Sequence, residues 1–335
     1  MAQISLGRDT DLHITGPTLL MGPTEGADVA VVTTAGPVVA PPPSRPDRTT
    51  TPPTERPLFV ASSVLTILSV MALTFLATLS LIGTVRHARD QQTAFADLRG
   101  QLATATAPVT QTDAAGRLHP LGTPVAVLDV PQIGLREVVF EGTTSGVLRS
   151  GPGHRRDTPL PGQEGGSVLM GRQAAYGGPF RRIKDLRPGN VFSVTTGQGR
   201  SVFRVISVRR AGDVAPPAIQ PGKGRLTLVT AAGRDWVPEG LLRVDADLVS
   251  ATQPTGPRPL TVAALPNPEK PLQADPTVWI LVLLVSQLLF AASVAVTWAR
   301  YRWGAWQAWI AGGPLLLAVG VGLSDHVAQL LPNLL

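Results

Sequence analysis

The chain has 335 residues, of which 44% are hydrophobic and only 16% are charged. This balance favours membrane segments over an ordinary soluble protein. It contains no cysteine, which excludes disulfides, thiolate metal sites and cysteine nucleophiles. Its 29 basic residues outnumber its 23 acidic ones, but they are scattered and no nucleic-acid-binding motif accompanies them. We therefore expect contact with anionic lipid or a cell-wall component, and no nucleic-acid partner.

Three uncharged stretches divide the chain. Residues 1–56 are rich in Pro and Thr and predict a disordered tail. A transmembrane helix needs about 20 apolar residues, and three stretches satisfy this requirement, at 57–85, 276–299 and 303–324. Residues 86–111 are polar and alanine-rich, and they predict either a helical stalk or a flexible tether.

Charge asymmetry gives an orientation. Arg300 and Arg302 flank the short turn between the second and third stretches, whereas the tail at 325–335 has no Lys or Arg. The positive-inside rule then places the turn and the N-terminus in the cytoplasm, and the domain between the first two spans outside. The sequence thus predicts a multi-pass plasma-membrane protein whose outer domain, 112–250, is joined to the second span by a proline-rich linker, 251–275.

The outer domain has the pattern of short strands separated by Gly and Pro turns. Alternation is clearest at Val191–Thr196 and Ser201–Val208, which flank the turn at 197–199 and predict a hairpin. The other predicted strands are Val125–Val130, Val138–Phe140, Ser167–Met170, Leu226–Thr230 and Leu241–Leu248. Many short strands of this kind indicate a mainly β protein with a closed or nearly closed, antiparallel-rich barrel and short helices.

Six segments of this domain, in order, resemble those of the sortase family, most closely the actinobacterial class E type. They are Val130–Leu135, Gly151–His154, Leu160–Gly171, Tyr176–Phe180, Leu186–Asn190 and Leu226–Thr230. The resemblance implies a sortase-like barrel held at the outer face of the membrane. It also implies an activity, because sortases cleave a sorting signal with a cysteine nucleophile, a histidine that handles protons and an arginine that stabilises the oxyanion.

The three catalytic positions of that family are altered. The family's Gly-His-Arg reads Gly171-Arg172-Gln173, and its Thr-Cys reads Thr230-Ala231. By spacing, its arginine falls at Leu241, with Gly240 as a one-residue alternative. Alanine cannot attack a carbonyl, a protonated arginine cannot serve as a general base, and leucine donates no hydrogen bond. The sequence therefore predicts loss of cysteine transpeptidase activity.

A peptide groove does not require the nucleophile, so the resemblance leaves a binding surface. We expect His154, Arg172, Thr230 and Arg243 to line it. Three of these carry alternatives: a structural role for His154, a locally bonded hydroxyl for Thr230 and a solvated strand position for Arg243. Arginines also concentrate in the flanking segments, at 155, 156, 172, 181, 182 and 187, which favours an acidic partner or lipid headgroups unless they are simply solvated.

The first functional hypothesis is a binding or scaffold subunit that holds a protein or peptide partner, or a wall component, in a membrane or cell-envelope complex. The alternative is an active sortase-like transpeptidase or hydrolase with a non-standard site. Leu265–Glu269 precedes a span in the manner of a sorting signal, but it lacks the cleaved Thr-Gly and is interpreted as linker. No metal-ligand pattern or cofactor motif is present, so neither a metal nor a cofactor is expected.

Overall fold

The structure is a computed structural model that describes residue 69 and residues 72–335. The predicted tail, 1–56, and most of the first half of the predicted span 57–85 lie outside the described residues.

Eight strands form the centre of the described part of the chain, and they close into a barrel in the order β1-β2-β3-β4-β7-β8-β6-β5. Two neighbouring pairs, β2–β3 and β4–β7, are parallel and the others are antiparallel. The strands are β1 Pro124–Val130, β2 Leu135–Glu141, β3 Gly153–His154, β4 Gly165–Met170, β5 Val191–Thr196, β6 Gly199–Arg209, β7 Gly224–Arg234 and β8 Val237–Leu248. The predicted mainly β closed barrel is confirmed.

The barrel interior is filled by alternate residues of the strands, because successive side chains of a strand point to opposite faces. In the β5–β6 hairpin, Phe192 lies opposite Phe203 and their rings stack at 5.8 Å. Leu226 and Leu228 of β7 face the same core. The other face of β7 therefore points outward, and this alternation decides which residues belong to the candidate site.

A long helix, α1 Gly83–Ala103, follows a π-helical turn at Thr78–Ile82. Of the two predicted alternatives for this segment, the structure has the helix, but the helix lies against the barrel instead of projecting as a stalk. Its buried Leu98 packs with Val138 and Phe140 of β2. A one-turn helix, α2 Ser145–Leu148, is capped by the hydroxyl of Thr144, which accepts from the amide of Val147.

Two long apolar helices follow the barrel, α3 Trp279–Trp303 and α4 Ala305–Gln329. The candidate membrane spans within them are Pro276–Ala299 and Trp306–Gln329. The described residues thus contain two candidate spans and not the three predicted, since much of 57–85 was outside them.

The last helix differs from the predicted span 303–324. The helix continues through Pro314 and ends at Gln329, five residues beyond the predicted span. The first of these added residues, Asp325, forms ion pairs. The Asp325 carboxylate accepts from Arg86 of α1 at 2.8 Å and from Arg149 at 2.7 Å. An acidic side chain that would end an apolar span therefore joins the helix to the barrel.

The segments between these elements include five short 3-10 turns: Pro131–Ile133, Ile183–Asp185, Val262–Ala264, Asn267–Glu269 and Pro276–Val278. The predicted linker at 251–275 lies partly against the barrel, with Leu265 and Glu269 buried. Glu269 is held by the Arg156 guanidinium, and its main-chain oxygen accepts from the Thr143 hydroxyl at 2.6 Å. The segment that follows α4 is described with the site.

Candidate functional site

Three strands bring the altered catalytic positions together. β4 and β7 run parallel with Met170 opposite Val229, and each chain continues two residues further to Arg172 and Ala231. On the other side of β7, Ala231 lies directly opposite Leu241 of β8. The three positions therefore surround one place on the barrel wall, with Ala231 in the middle.

The surroundings of Ala231 are apolar. Ala231 is buried in a cluster with Leu148, Met170 and Val229, and Leu241 packs against the same cluster. A methyl group and an isobutyl group stand where the resemblance places a nucleophile and an oxyanion donor. Neither carries a lone pair or a polar hydrogen, so this pair cannot attack a carbonyl or stabilise an oxyanion.

Arg172 is sealed inside the protein, with 2% of its surface exposed. Its Nη2 donates to the main-chain oxygen of Ser145 at 3.0 Å and to the hydroxyl of Ser145 at 2.8 Å. Its Nη1 donates to the main-chain oxygen of Leu335 at 3.3 Å, and the guanidinium lies 5.0 Å from the Tyr176 ring centroid. No Asp or Glu side chain in the described part of the chain forms an ion pair with Arg172, so main-chain and hydroxyl oxygens and an aromatic face hold this cation.

Burial lowers the pKa of Arg172 to about 10, with nearby Arg149 adding to the effect and Tyr176 and Asp325 opposing it. The group still carries its charge at neutral pH. A protonated guanidinium accepts no proton, so Arg172 cannot replace a histidine as general base. Its role at this position is to donate hydrogen bonds.

His154 was predicted to line the groove, but the structure places it inside the barrel. It lies opposite Leu169 in register and shares that residue's inward face, with none of its surface exposed. Its Nδ1 lies 2.9 Å from the Glu141 carboxylate and its Nε2 lies 3.0 Å from the main-chain oxygen of Pro159. Both ring nitrogens therefore face acceptors, the arrangement that an imidazolium satisfies.

Burial is the largest influence on the pKa of His154 and acts to lower it. The Glu141 carboxylate, the Pro159 oxygen and Asp157 together outweigh burial, so the pKa lies above its ordinary value. This geometry corresponds to the structural alternative for His154. Among the described residues, no three His, Asp or Glu side chains gather closely enough to hold a metal ion.

The two remaining predicted groove residues lie on opposite faces of the barrel wall. Thr230 is buried, and its hydroxyl donates to the main-chain oxygen of Gly171 at 2.8 Å. Arg243 lies two residues beyond Leu241, opposite Val229, and is partly exposed on the outer face. Burial, with Arg209 nearby, lowers the pKa of Arg243. Of the four predicted groove residues, Arg243 alone is not buried.

The sequence reasoning missed the segment that covers this place. After α4 the chain turns back to the barrel, and Leu334 joins the apolar cluster around Ala231. The amide of Gln173 donates to the main-chain oxygen of Leu334 at 2.9 Å. One sequence feature marks this segment: the Leu-Pro-Asn of residues 331–333 repeats the Leu-Pro-Asn of residues 265–267.

The six arginines that flank the site divide into two groups. Arg155 forms a two-bond ion pair with Asp157, Arg156 is held by Glu269, and Arg172 is buried as described. The exposed members are Arg181, Arg182 and Arg187. Arg181 lies 3.8 Å from Asp235 and Arg182 lies 3.5 Å from Asp185, both in exposed pairs. Half of the predicted basic concentration is therefore paired or buried inside the protein, and two of the three exposed arginines also face an acidic side chain.

Comparison with known proteins identifies similar sequences and structures. Residues 128–237 match the family model described as a sortase domain. Sortase D of Bacillus subtilis (strain 168) is 26% identical over 111 residues, which are 32% of this chain and 54% of that protein. The chain thus spans about half the length of the curated relative that it matches.

Solved sortases cover the same region. A sortase D5 transpeptidase from Clostridium perfringens gives a TM-score of 0.39 at 19% identity, covering 48% of this chain and 99% of its own. Sortase E1 from Streptomyces coelicolor, solved with a tripeptide in its active site, gives a TM-score of 0.33 at 20% identity, covering 38% of this chain and 90% of its own.

Proposed function

We propose that this protein is a membrane-anchored sortase-family protein of the class E-like, actinobacterial type that has lost transpeptidase activity. It acts as an extracytoplasmic binding or scaffold subunit of a membrane or cell-envelope complex.

One observation carries the proposal. Ala231, Leu241 and Arg172 stand together at the positions that the family uses for chemistry, and none of them can perform it. The place is also apolar and closed to solvent, because Ala231 is 1% exposed. A hydrolytic water or an acyl acceptor has no polar group there to activate it.

The membrane placement rests on charge and on the apolar helices. Candidate spans at Pro276–Ala299 and Trp306–Gln329 support anchoring beside the barrel. With Arg300 and Arg302 between them, the positive-inside rule favours a cytoplasmic turn, an outer barrel and a cytoplasmic N-terminus. The segment 57–85 supplies the remaining span of this multi-pass topology.

The exposed arginines supply a surface for the partner. Arg187, which is exposed, and Arg243, which is partly exposed, leave positive charge near the altered site. Arg181 and Arg182 add guanidinium groups that are held only in loose, exposed pairs with Asp235 and Asp185. Arginine binds carboxylates and phosphates through paired hydrogen bonds. An acidic protein segment or an anionic wall component fits this chemistry.

A turnover assay tests the loss of activity. The full chain, purified in detergent, is incubated with a sorting-signal peptide and followed by mass spectrometry, with an active sortase on the same peptide as the control. We expect no cleavage and no adduct. A peptide adduct on a serine or threonine would favour the alternative of an active enzyme with a non-standard site.

Isolation from the native membrane tests the scaffold role. We expect a stoichiometric partner to be retained after mild solubilisation, and to be lost when Arg181, Arg182 and Arg187 are all changed to Gln. Recovery of the unchanged chain alone, after crosslinking in intact membranes, would contradict the scaffold role.

A further inference from the structure

Residues 330–335, which we name the tail segment, form a turn in which the amide of Leu335 donates to the main-chain oxygen of Pro332 at 3.2 Å, and this turn is held between the linker and the barrel. The amide of Asp275 donates to the main-chain oxygen of Gln329 at 3.1 Å, and the amide of Asn333 donates to that of Gln273 at 3.0 Å. On the barrel side, the Gln173 amide donates to the oxygen of Leu334. The linker forms one wall of this site and the barrel forms the other.

The side chain of Leu334 fills an apolar pocket. None of its surface is exposed, and it contacts the cluster that contains Met170, Val229 and Ala231, with Leu241 beside it. Full burial of a leucine side chain stabilises a contact because it removes apolar surface from water. The small Ala231 leaves room for this side chain, and the apolar Leu241 lines the pocket without a charge.

Asn333 adds specificity. None of its surface is exposed, and its side-chain nitrogen donates to the main-chain oxygens of Thr143 at 2.9 Å and Lys270 at 3.0 Å. A third oxygen, that of Pro268, lies at 3.4 Å. An aspartate at this position would place a carboxylate against carbonyl oxygens, so the site selects an amide.

Arg172 completes the site. The end of the tail segment meets its buried guanidinium through the main-chain oxygen of Leu335. Its Nε is buried and bonds to no partner among the described residues. A buried cation with donors to spare is a receptor for a peptide oxygen.

We propose that the altered site is a peptide-binding site for turn-forming segments that contain Asn-Leu, and that the tail segment is its ligand in cis. The substitutions that remove chemistry build the site, because Ala231 and Leu241 make the leucine pocket and Arg172 holds the peptide oxygen. An external peptide of the same kind binds only when the tail segment leaves. This inference concerns the place discussed under the proposed function, but it requires binding there and not the absence of catalysis.

A single engineered thiol tests the inference, because the chain has no cysteine of its own. Ala231→Cys is made in the full chain and in a chain that lacks residues 331–335, and its rate of reaction with a maleimide is measured. We expect the thiol to react at least about tenfold faster without the tail segment, since a buried group reacts only through local opening. Val249→Cys, exposed and roughly 26 Å along the strand from Leu241, should react equally in both chains.

A synthetic peptide then replaces the tail segment. The peptide Gln-Leu-Leu-Pro-Asn-Leu-Leu, added to the shortened chain, should restore protection of the thiol, whereas the same peptide with Asp in place of Asn should not. To separate loss of the tail segment from any effect of shortening on folding, the full-length Asn333→Asp variant repeats the test with every residue in place. Equal thiol reactivity in the full chain and in both opened variants would overturn the inference, as would protection by both peptides alike.

The thiol experiment and the turnover assay of the proposed function can fail independently of each other. Failure of thiol protection removes the cis ligand but leaves the missing catalysis intact. Cleavage of a sorting-signal peptide removes the proposed function but leaves the docking of the tail segment intact.

Discussion

At the residue scale, His154 and Arg172 are two buried basic groups that the protein satisfies in different ways. Arg172 meets main-chain and hydroxyl oxygens and an aromatic ring, and burial depresses its pKa. His154 meets the Glu141 carboxylate, and its pKa is raised despite burial. The histidine therefore contributes a pH-dependent part of the stability.

The direction in which stability changes with pH follows from the raised pKa of His154. A group that binds its proton more tightly in the folded state stabilises the fold fully below its ordinary value of 6.5, and this contribution is lost as pH rises through the folded pKa. We expect the melting temperature in detergent to fall as pH is raised above 6.5. The contribution of one proton to the slope is at most about 1.4 kcal/mol per pH unit.

His154→Gln and Glu141→Gln isolate this contribution. Each variant should be less stable than the parent at pH 6, and each should lose the part of the slope that begins near 6.5. Glu141 and Asp157 are the charged groups that act on the imidazole, and Arg156 acts on Glu141 in turn. A slope that persists unchanged in His154→Gln would show that another group is responsible.

At the scale of the element, α1 is a surface helix that the barrel needs. Its Ala94 and Leu98 are buried against β2, and they cover Val138 and Phe140. These apolar groups of β2 lie on the outer face of the barrel wall, so without the helix they would contact water. The helix is therefore part of the folded domain.

Leu98→Ala tests this packing. We expect a loss of about 2–4 kcal/mol in the free energy of unfolding, the usual result of removing a buried leucine side chain. Gln92→Ala on the exposed side of the same helix is the matched control and should change stability by less than about 0.5 kcal/mol. Thermal unfolding in detergent measures both, and equal effects would contradict the packing.

The elements differ in how far the sequence predicts them. The β5–β6 hairpin follows from alternation around a short turn, and its predicted first strand, Val191–Thr196, has the observed bounds. Strand β3 has two residues, Gly153–His154, too few to show any period. The hairpin of β7 and β8 reaches further than predicted because polar residues near its tip, such as Arg234, interrupt the apolar pattern while pairing continues.

The candidate site, like the elements, is only partly predictable from the sequence. Motif spacing locates Arg172 and Ala231, because both follow apolar strands with recognisable neighbours. It does not reveal that Arg172 is buried, since its partners Ser145 and Leu335 are 27 and 163 residues away. For the tail segment, the sequence predicts only a short terminal tail. Its contacts with the barrel join residues far apart in the chain, and such contacts leave no periodic pattern.

At the scale of the whole molecule, Asp325 joins three parts of the chain. It accepts from Arg86 of α1, from Arg149 beside α2 and, at 3.2 Å, from the Tyr176 hydroxyl. The carboxylate is near the C-terminal end of the candidate span in α4. It therefore holds α4 against the barrel. Because the tail segment follows α4 directly, this contact also positions the tail segment at the site.

Asp325→Asn tests this connection. We expect a loss of about 1–2 kcal/mol, between the values for surface and for buried ion pairs, because the carboxylate is only partly exposed. The surface pair Arg182–Asp185 provides the control, since Asp185→Asn should have an effect below about 1 kcal/mol. In the Ala231→Cys background, Asp325→Asn should also speed maleimide reaction by loosening the tail segment. An unchanged rate would mean that the two are not coupled.

The proposed loss of activity rests on the chemical groups that are absent at Ala231, Leu241 and Arg172, and not only on the tail segment that covers the site. The most direct measurement is intact-protein mass spectrometry of the chain lacking residues 331–335 after incubation with a sorting-signal peptide. We predict that the opened site yields neither a covalent adduct nor a cleaved peptide. Turnover by this shortened chain, in the absence of turnover by the full chain, would show a masked enzyme and contradict the account.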